Sequence, residues 1–377
     1  MTVDIIGAGI GGLTTAIALE KKGFKIRIFE QAKEIKPVGA GIILANNAMQ
    51  VYDKLGLRKI IEEHGNNVSS MRVTKANLST LSHINLSSFE EKYNTKNIAI
   101  HRGELQQILI DKLKTTKIKT NHKLISITKK EDGYQLNFND NKQIQSAVII
   151  AADGINSTIR KELFLNNNIR KANQICWRGV VKYDLPTKYK NELNEAWDKS
   201  GRFGFVQISD ETVYWYALKT FNQSKNEFTV DKLNEYYSEF NPVIKNLIKS
   251  TNKQQINTAE ISDLKPNKNW YKKNICLIGD AAHAATPNMG QGACQAIEDA
   301  YTISECLSKY DINTAFDQFK RLRIKKTHSI VKMSWNIGEI SHLKNPILIG
   351  IRNLFLKLTP DFITKKQNEK IFKLIKI

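Results

Sequence analysis

Eleven residues near the N-terminus, "VDIIGAGIGGL" (3–13), restrict the fold more than any other stretch of the chain. The apolar run 3–6 reads as a buried strand. Gly7-x-Gly9-x-x-Gly12 follows at once, and apolar Leu13, Ala16 and Ile17 then recur at helical spacing as far as Lys22. "KIRIFE" (25–30) alternates as a second strand ending at Glu30. Together these make a β-α-β unit with a glycine turn between strand and helix. Gly7 permits the tight turn, Gly9 lets backbone approach a pyrophosphate, and Gly12 lets helix and strand pack closely. The helix start at Gly11 and Gly12 offers free N–H groups and a partial positive charge to phosphates. Glu30 accepts hydrogen bonds from ribose hydroxyls, with Gln31 beside it, and its carboxylate disfavours a 2′-phosphate. The turn is therefore expected to hold NAD or FAD, and not NADP.

A second small-residue stretch, "CLIGDAAHAATPNMGQGACQAIEDA" (276–300), separates those two ligands. A NAD dehydrogenase needs nothing like it, whereas FAD carries a ribityl chain and an isoalloxazine ring that need a further wall. The apolar strand brings Asp280 to accept a hydrogen bond from a ribityl hydroxyl. Pro287 to Gly292, through Gly290, turns into a helix whose first N–H groups, at Gly292 and Ala293, face the flavin edge that becomes anionic on reduction. His283 in "DAAH" reads as a packing or hydrogen-bonding residue and not as a base.

Three motifs in fixed order carry a resemblance: the first turn with Glu30, then "AADGINSTIR" (151–160), then "GDAAHAATPNMGQG" (279–292). Over residues 1 to about 340 the chain resembles the flavoprotein aromatic hydroxylases, the class A FAD monooxygenases that include urate and salicylate hydroxylases and tetracycline-inactivating enzymes. The resemblance implies an α/β fold: a Rossmann-like FAD-binding domain with an inserted β-rich substrate domain and a helical C-terminus. It implies that Asp153 and Gly154, with Ser157 and Arg160, lie near the pyrophosphate, that Arg102 in "HRGEL" reaches back to FAD, and that Leu124 contacts the adenine through backbone. Asn46, Asn47 and Met289 are placed beside the isoalloxazine. It implies NADH or NADPH as a transient co-substrate, since no second dinucleotide motif occurs mid-chain. The reaction implied is insertion of one atom of O2 into a small, electron-rich aromatic or heteroaromatic substrate through a flavin C4a-hydroperoxide. An epoxidase, a tetracycline-type enzyme and a flavin-binding protein without turnover are the alternatives. The urate-hydroxylase-like branch has counterparts of Arg202 and Tyr214, which imply that Arg202 holds an anionic or enolic substrate and that Tyr214 orients it.

Domain limits follow from the change of pattern. Residues 1–70, 99–174 and 263–335 are expected to form the FAD-binding domain, 71–98 and 175–262 the substrate domain, and 336–377 the terminal helices. Alternation along 202–208 and 212–219 puts Arg202, Gly204 and Val206 on one face and Tyr214 with Tyr216 on one face of the next strand. Apolar residues make up 41% of the chain and charged residues 25%, ordinary values for a globular protein. The net charge of +20 comes from lysines spread over every segment, with no nucleic-acid motif, so no nucleic-acid partner is expected. Cys176, Cys276, Cys294 and Cys306 form no disulfide or metal pattern, and with no signal or transmembrane pattern the protein reads as cytoplasmic, monomeric or homodimeric, without a metal. The basic, amphipathic tail 345–377 is expected to pack over both domains; the other reading lays it on a membrane surface.

Overall fold

Two parallel strands flank the first one and fix the architecture. In the computed structural model, which describes residues 1–36, 40–139, 141–164, 168–221, 228–375 and 377, Thr2–Ile6 pairs in parallel with Ile149–Ala151 and with Lys25–Phe29. Ile275–Leu277 pairs in parallel with Ile149–Ala151 on its far side. The full sheet has six strands, completed by Ile118–Lys119 and by antiparallel Tyr271–Lys272. The inner strands are apolar along their length because packed layers cover them: helices such as Ile10–Lys21, and the antiparallel sheet Leu124–Lys130, Gly133–Phe138 and Gln143–Ser146, whose Phe138 stacks on Phe29 at 5.0 Å. The helices Ile10–Lys21 and Gly292–Lys309 pack on one another, although their sequences lie far apart.

A second sheet of seven strands stands beside the first, in the order Asn257–Leu264, Ile169–Lys182, Thr212–Thr220, Gly201–Ser209, Glu192–Asp198, Ser70–Thr74, Thr80–Asn85. Aromatic side chains fill its outer face, with Phe203 stacked on Trp215 at 5.4 Å and Tyr237 edge-on to Phe203. The helix Pro242–Ser250 covers that layer with Ile244, Leu247 and Ile248. On the inner face the register pairs Gly204 with Tyr216 and Val206 with Tyr214. The expected facing of Arg202, Gly204 and Val206 with the two tyrosines is therefore observed. Gly204 has a steric reason to be glycine, since a Cβ there would stand 2.1 Å from the Tyr216 ring.

From Gly292 onward the chain is helical. A helix of 30 residues, Ile312–Ser341, is followed by Pro346–Leu358 and Asp361–Phe372. The last two pack against Thr80–Asn85 and Asn46–Leu55 respectively. Among the described residues no helix is long and apolar enough to cross a membrane. All four cysteines are buried and free.

Candidate active site

Because Thr2–Ile6, Ile149–Ala151 and Ile275–Leu277 run side by side and parallel, their C-terminal ends open at one edge of the sheet. Gly7, Asp153 and Asp280 follow those three ends and meet there, at the place where ligands bind in open α/β sheets. Close contact holds the meeting together. A Cβ on Gly7, whose φ is +106°, would lie 2.4 Å from the Ala152 carbonyl oxygen, and one on Gly12 would lie 2.0 Å from the Gly7 carbonyl oxygen. Gly11 and Gly279 both face the Ala296 methyl, at 3.1 and 3.0 Å from added Cβ atoms, so the early and late turns share one neighbour.

The face turned away from the protein is open. Cβ atoms built on Gly9, Gly154 and Gly290 meet nothing within 4 Å. The backbone of Gly9, Gly154 and Gly290 is thus left uncovered beside the three strand ends, where we place a trough for a ligand. Glu30 sits at one end, accepting from the N–H groups of Ala8 at 2.7 Å and Ala32 at 2.8 Å, which leaves each carboxylate oxygen a further lone pair. His122 donates its backbone N–H to the Glu30 carbonyl at 2.8 Å, which brings the segment leading to buried Leu124 beside that end. Gln31 and Arg102 are exposed, and Arg102 opens the helix Arg102–Lys112. Gln106 on that helix donates to the Ala8 carbonyl at 2.9 Å.

Asp153 lies in the middle of the trough. Its Oδ2 accepts from the Ile159 N–H at 3.4 Å, and its Oδ1 has no hydrogen-bond partner among the described residues. Burial pushes this carboxyl up, only partly offset by the hydrogen bonds around Ser157 and Ile159. Asp280 is open to solvent along the trough while protein crowds around it. Desolvation pushes it up, against the opposing charges of His283 and Arg102. An Asp153 oxygen without a protein partner and the solvent-open Asp280 carboxyl fit the hydroxyl-rich body of FAD, whose donors would complete them.

Buried side chains brace the trough from behind. Arg160 donates to the Ala281 carbonyl at 3.0 Å and to the Ile155 carbonyl, clamping the second motif to the third. Asp299 accepts from the Gly279 N–H at 2.9 Å, from His283 Nε2 at 2.5 Å and from Arg323 Nε at 2.7 Å. His283 is therefore an anchored hydrogen-bonding residue, wedged against Trp270 with ring centroids 5.1 Å apart. Asn46 and Asn47 are fully buried and turned inward: Asn46 donates to the Thr95 carbonyl, and Asn47 donates to Gln291 at 3.1 Å and Glu298 at 2.6 Å. Their side chains hold the loop in place and do not line the trough. The two asparagines belong to the stretch "GAGIILANNAM" (39–49), whose first residue, Gly39, lies outside the described residues.

The late turn meets the seven-stranded sheet at Asn288, which accepts from Arg202 at 2.7 Å. The Tyr214 ring lies on Gly41, where a Cβ would come within 2.4 Å of it. Burial pushes the Tyr214 hydroxyl far up, against the charge of Arg178 beside it, so it stays a neutral phenol. Val206, Ile208, Leu193, Val68 and Tyr214 make an apolar, aromatic wall with partly buried Tyr216 against it. Arg202 is 1% exposed, and its guanidinium is already engaged: with Glu195 at 2.8 Å, with Asn288 Oδ1 at 2.7 Å and with Ser341 Oγ at 3.0 Å. Only its Nε has no partner among the described residues. Glu195 also accepts from the Tyr216 hydroxyl and Trp197 Nε1; desolvation pushes it up, but Arg202 and these donors together hold it below the usual carboxylate range. This arginine–carboxylate–phenol cluster touches the late turn at Asn288. Sequence reading missed it, since Glu195 lies in no motif.

Comparison with known proteins agrees with this geometry. Residues 1–317 match the model of the FAD binding domain family. The chain is 30% identical over 361 residues to the aurachin C monooxygenase/isomerase of Stigmatella aurantiaca, covering 95% of this chain and 94% of that protein. It is 30% identical over 387 residues to the 2-heptyl-3-hydroxy-4(1H)-quinolone synthase of Pseudomonas aeruginosa, covering 99% and 98%. Among solved structures, HpxO of Klebsiella pneumoniae with FAD and uric acid shares the fold at a TM-score of 0.89 and 24% identity, covering 99% and 97%. The fold and the trough thus define a flavoprotein of the aromatic hydroxylase class. The chain belongs to the FAD binding domain family, its cofactor is FAD, and it is an FAD-dependent monooxygenase.

Proposed function

We propose that this chain uses NADH or NADPH and O2 to hydroxylate a flat, electron-rich heteroaromatic substrate of the 4(1H)-quinolone class. The observation that carries the reading is the apolar, aromatic cluster of Tyr214, Val206 and Leu193 on the inner face of the seven-stranded sheet, with the Tyr214 ring on Gly41. A wall of aromatic and branched side chains suits a fused ring with an apolar substituent. The two 30%-identical relatives support the class, since one is named for a 2-heptyl-3-hydroxy-4(1H)-quinolone.

Bound FAD supplies the two-electron chemistry with nicotinamide and O2 and the transfer of one oxygen atom. The chain's own residues bind and orient. Gly7, Gly9, Gly11 and Gly12 receive the pyrophosphate, with Asp153 beside it. Glu30, Gln31 and Leu124 receive the AMP end, and Asp280, Arg102, Pro287, Gly290, Gly292 and Ala293 hold the ribityl and ring end. Tyr214 stacks against the substrate ring and keeps water out. Arg202 acts as a positioning residue: paired with Glu195, it sets the Pro287–Met289 turn through Asn288. The reaction needs no protein nucleophile or metal ligand, and residues 71–98 with 175–262 serve as the substrate domain. The low-redox cytoplasm suits its four free cysteines.

The test is NADH and NADPH oxidation by FAD-loaded protein with a 2-alkyl-4(1H)-quinolone, uric acid and a hydroxybenzoate. Faster oxidation with the quinolone, coupled to a hydroxylated product, supports the reading. No stimulation by any of the three, or stimulation that yields only hydrogen peroxide, overturns it.

A further inference from the structure

The helix Pro346–Leu358 and the first turn of Asp361–Phe372 present apolar side chains outward, while Ile371 and Phe372 at the far end of the second helix are buried. Among the described residues, fourteen large hydrophobic ones are exposed, and eight of these lie between Ile347 and Ile363. On the helix Pro346–Leu358, positions 347, 351, 354 and 358 form a stripe with Phe355 alongside, and their exposures run from 47% to 73%. Phe362, at 69%, continues the patch onto the first turn of the next helix. The opposite face hides the charge: Arg352 is 5% exposed, donates to the carbonyls of Ile340 and Ser341, and lies over the Trp197 ring at 5.4 Å. A surface helix of a water-bathed protein has the reverse arrangement. Contiguous exposed apolar surface of this kind marks an interaction site.

We propose that this patch docks the enzyme on an anionic lipid bilayer, both helices lying flat in the headgroup region. Charge selects this occupant. Residues 344–373 hold seven basic against two acidic residues, and exposed Lys344, Lys357, Lys365 and Lys366 rim the patch, within a chain of net charge +20. A second copy of the chain would bring one lysine rim against another, whereas anionic headgroups complement it. Length fixes the posture. Helices of 13 and 12 residues fall well short of the roughly 20 needed to span a bilayer, yet suit an interfacial element with phenylalanine and leucine on one face. The inference is independent of the substrate reading, although a bilayer is also where a substrate with an alkyl chain would concentrate.

Sedimentation of the full-length, FAD-loaded protein with vesicles of phosphatidylglycerol and phosphatidylcholine tests it. The account expects binding that weakens with salt and is much poorer to phosphatidylcholine alone. The triple variant I351S/L354S/F355S should bind at least about tenfold more weakly, since each change removes an apolar side chain that the bilayer would bury. These side chains are exposed, so the variant should keep its flavin spectrum and melting temperature. The single variant F355W gives a second readout, a blue shift of fluorescence on adding the anionic vesicles. Absence of binding and of the shift overturns the proposal, as does a concentration-dependent dimer that the triple variant abolishes.

Discussion

Arg160 donates from Nη1 to the carbonyl oxygen of Ala281 at 3.0 Å, joining two motifs that lie 121 residues apart. The same guanidinium reaches the Ile155 carbonyl, and the side chain is completely buried. It ties the turn after Asp153 to the segment that follows Asp280.

Replacing this arginine tests the clamp. R160M keeps the bulk but leaves two carbonyls without a donor, at about 1–3 kcal/mol each. Apoprotein stability should fall by that order in urea titration. FAD affinity, followed by quenching of flavin fluorescence, should fall at least about tenfold. Unchanged affinity would show that the two motifs keep their depth without the clamp.

The glycines of the first turn should separate fold from cofactor. G12A drives a methyl against the Gly7 carbonyl and should cost about 3 kcal/mol of stability even without FAD. G9A meets no protein atom and should leave the melting temperature of the apoprotein unchanged. It should nevertheless weaken FAD binding, because its methyl points where the pyrophosphate approaches. Loss of stability in G9A, or full FAD affinity, would contradict the open trough.

Glu195 and Arg202 form a buried pair, and breaking one side of such a pair costs about 3–5 kcal/mol. E195Q should therefore unfold at markedly lower urea. E195L/R202M, which removes both charges, should recover most of that stability while losing substrate coupling, measured as product formed per NAD(P)H consumed. If the double variant stays well coupled, Arg202 has no positioning role.

His342 provides a pH signature. Burial and the charge of nearby Arg202 push its imidazole down from 6.5 to about 4, although the Gly338 carbonyl and Glu195 pull the other way. A group whose folded pKa is lowered binds fewer protons folded than unfolded, so stability rises with pH between the two values. The contribution, up to about 3 kcal/mol, is fully present above pH 6.5 and lost as pH falls toward 4. H342L should flatten that slope in urea titrations across the window, and an unaltered slope would place the dependence elsewhere.

Much of the trough is legible in sequence because glycine turns and strand-ending acids are local demands. Gly7, Gly12, Glu30, Asp153 and Asp280 each answer to a backbone geometry within a few residues. The bracing behind them is not local. Arg160 to Ala281, Asp299 to Gly279 and Tyr214 on Gly41 arise from strand register and helix docking, which no short window contains. Asn46 and Asn47 show the cost of reading a loop without its rotation: the residues are in place, but their amides point to Thr95 and Glu298. The tail shows the same effect at larger scale. Its amphipathic period is plain in sequence, while the direction of its apolar side appears only once Arg352 is seen buried.

The central claim is that the trough delivers one oxygen atom from O2 to a ring held against Tyr214. Mass spectrometry of the product formed from a 2-alkyl-4(1H)-quinolone under isotopically heavy O2 tests it most directly. The account predicts one heavy oxygen atom in the product of the wild-type enzyme and a sharply lower yield from Y214A. A product carrying its new oxygen from water, or reduced cofactor consumed with no oxygenated product from any heteroaromatic ring, would contradict it.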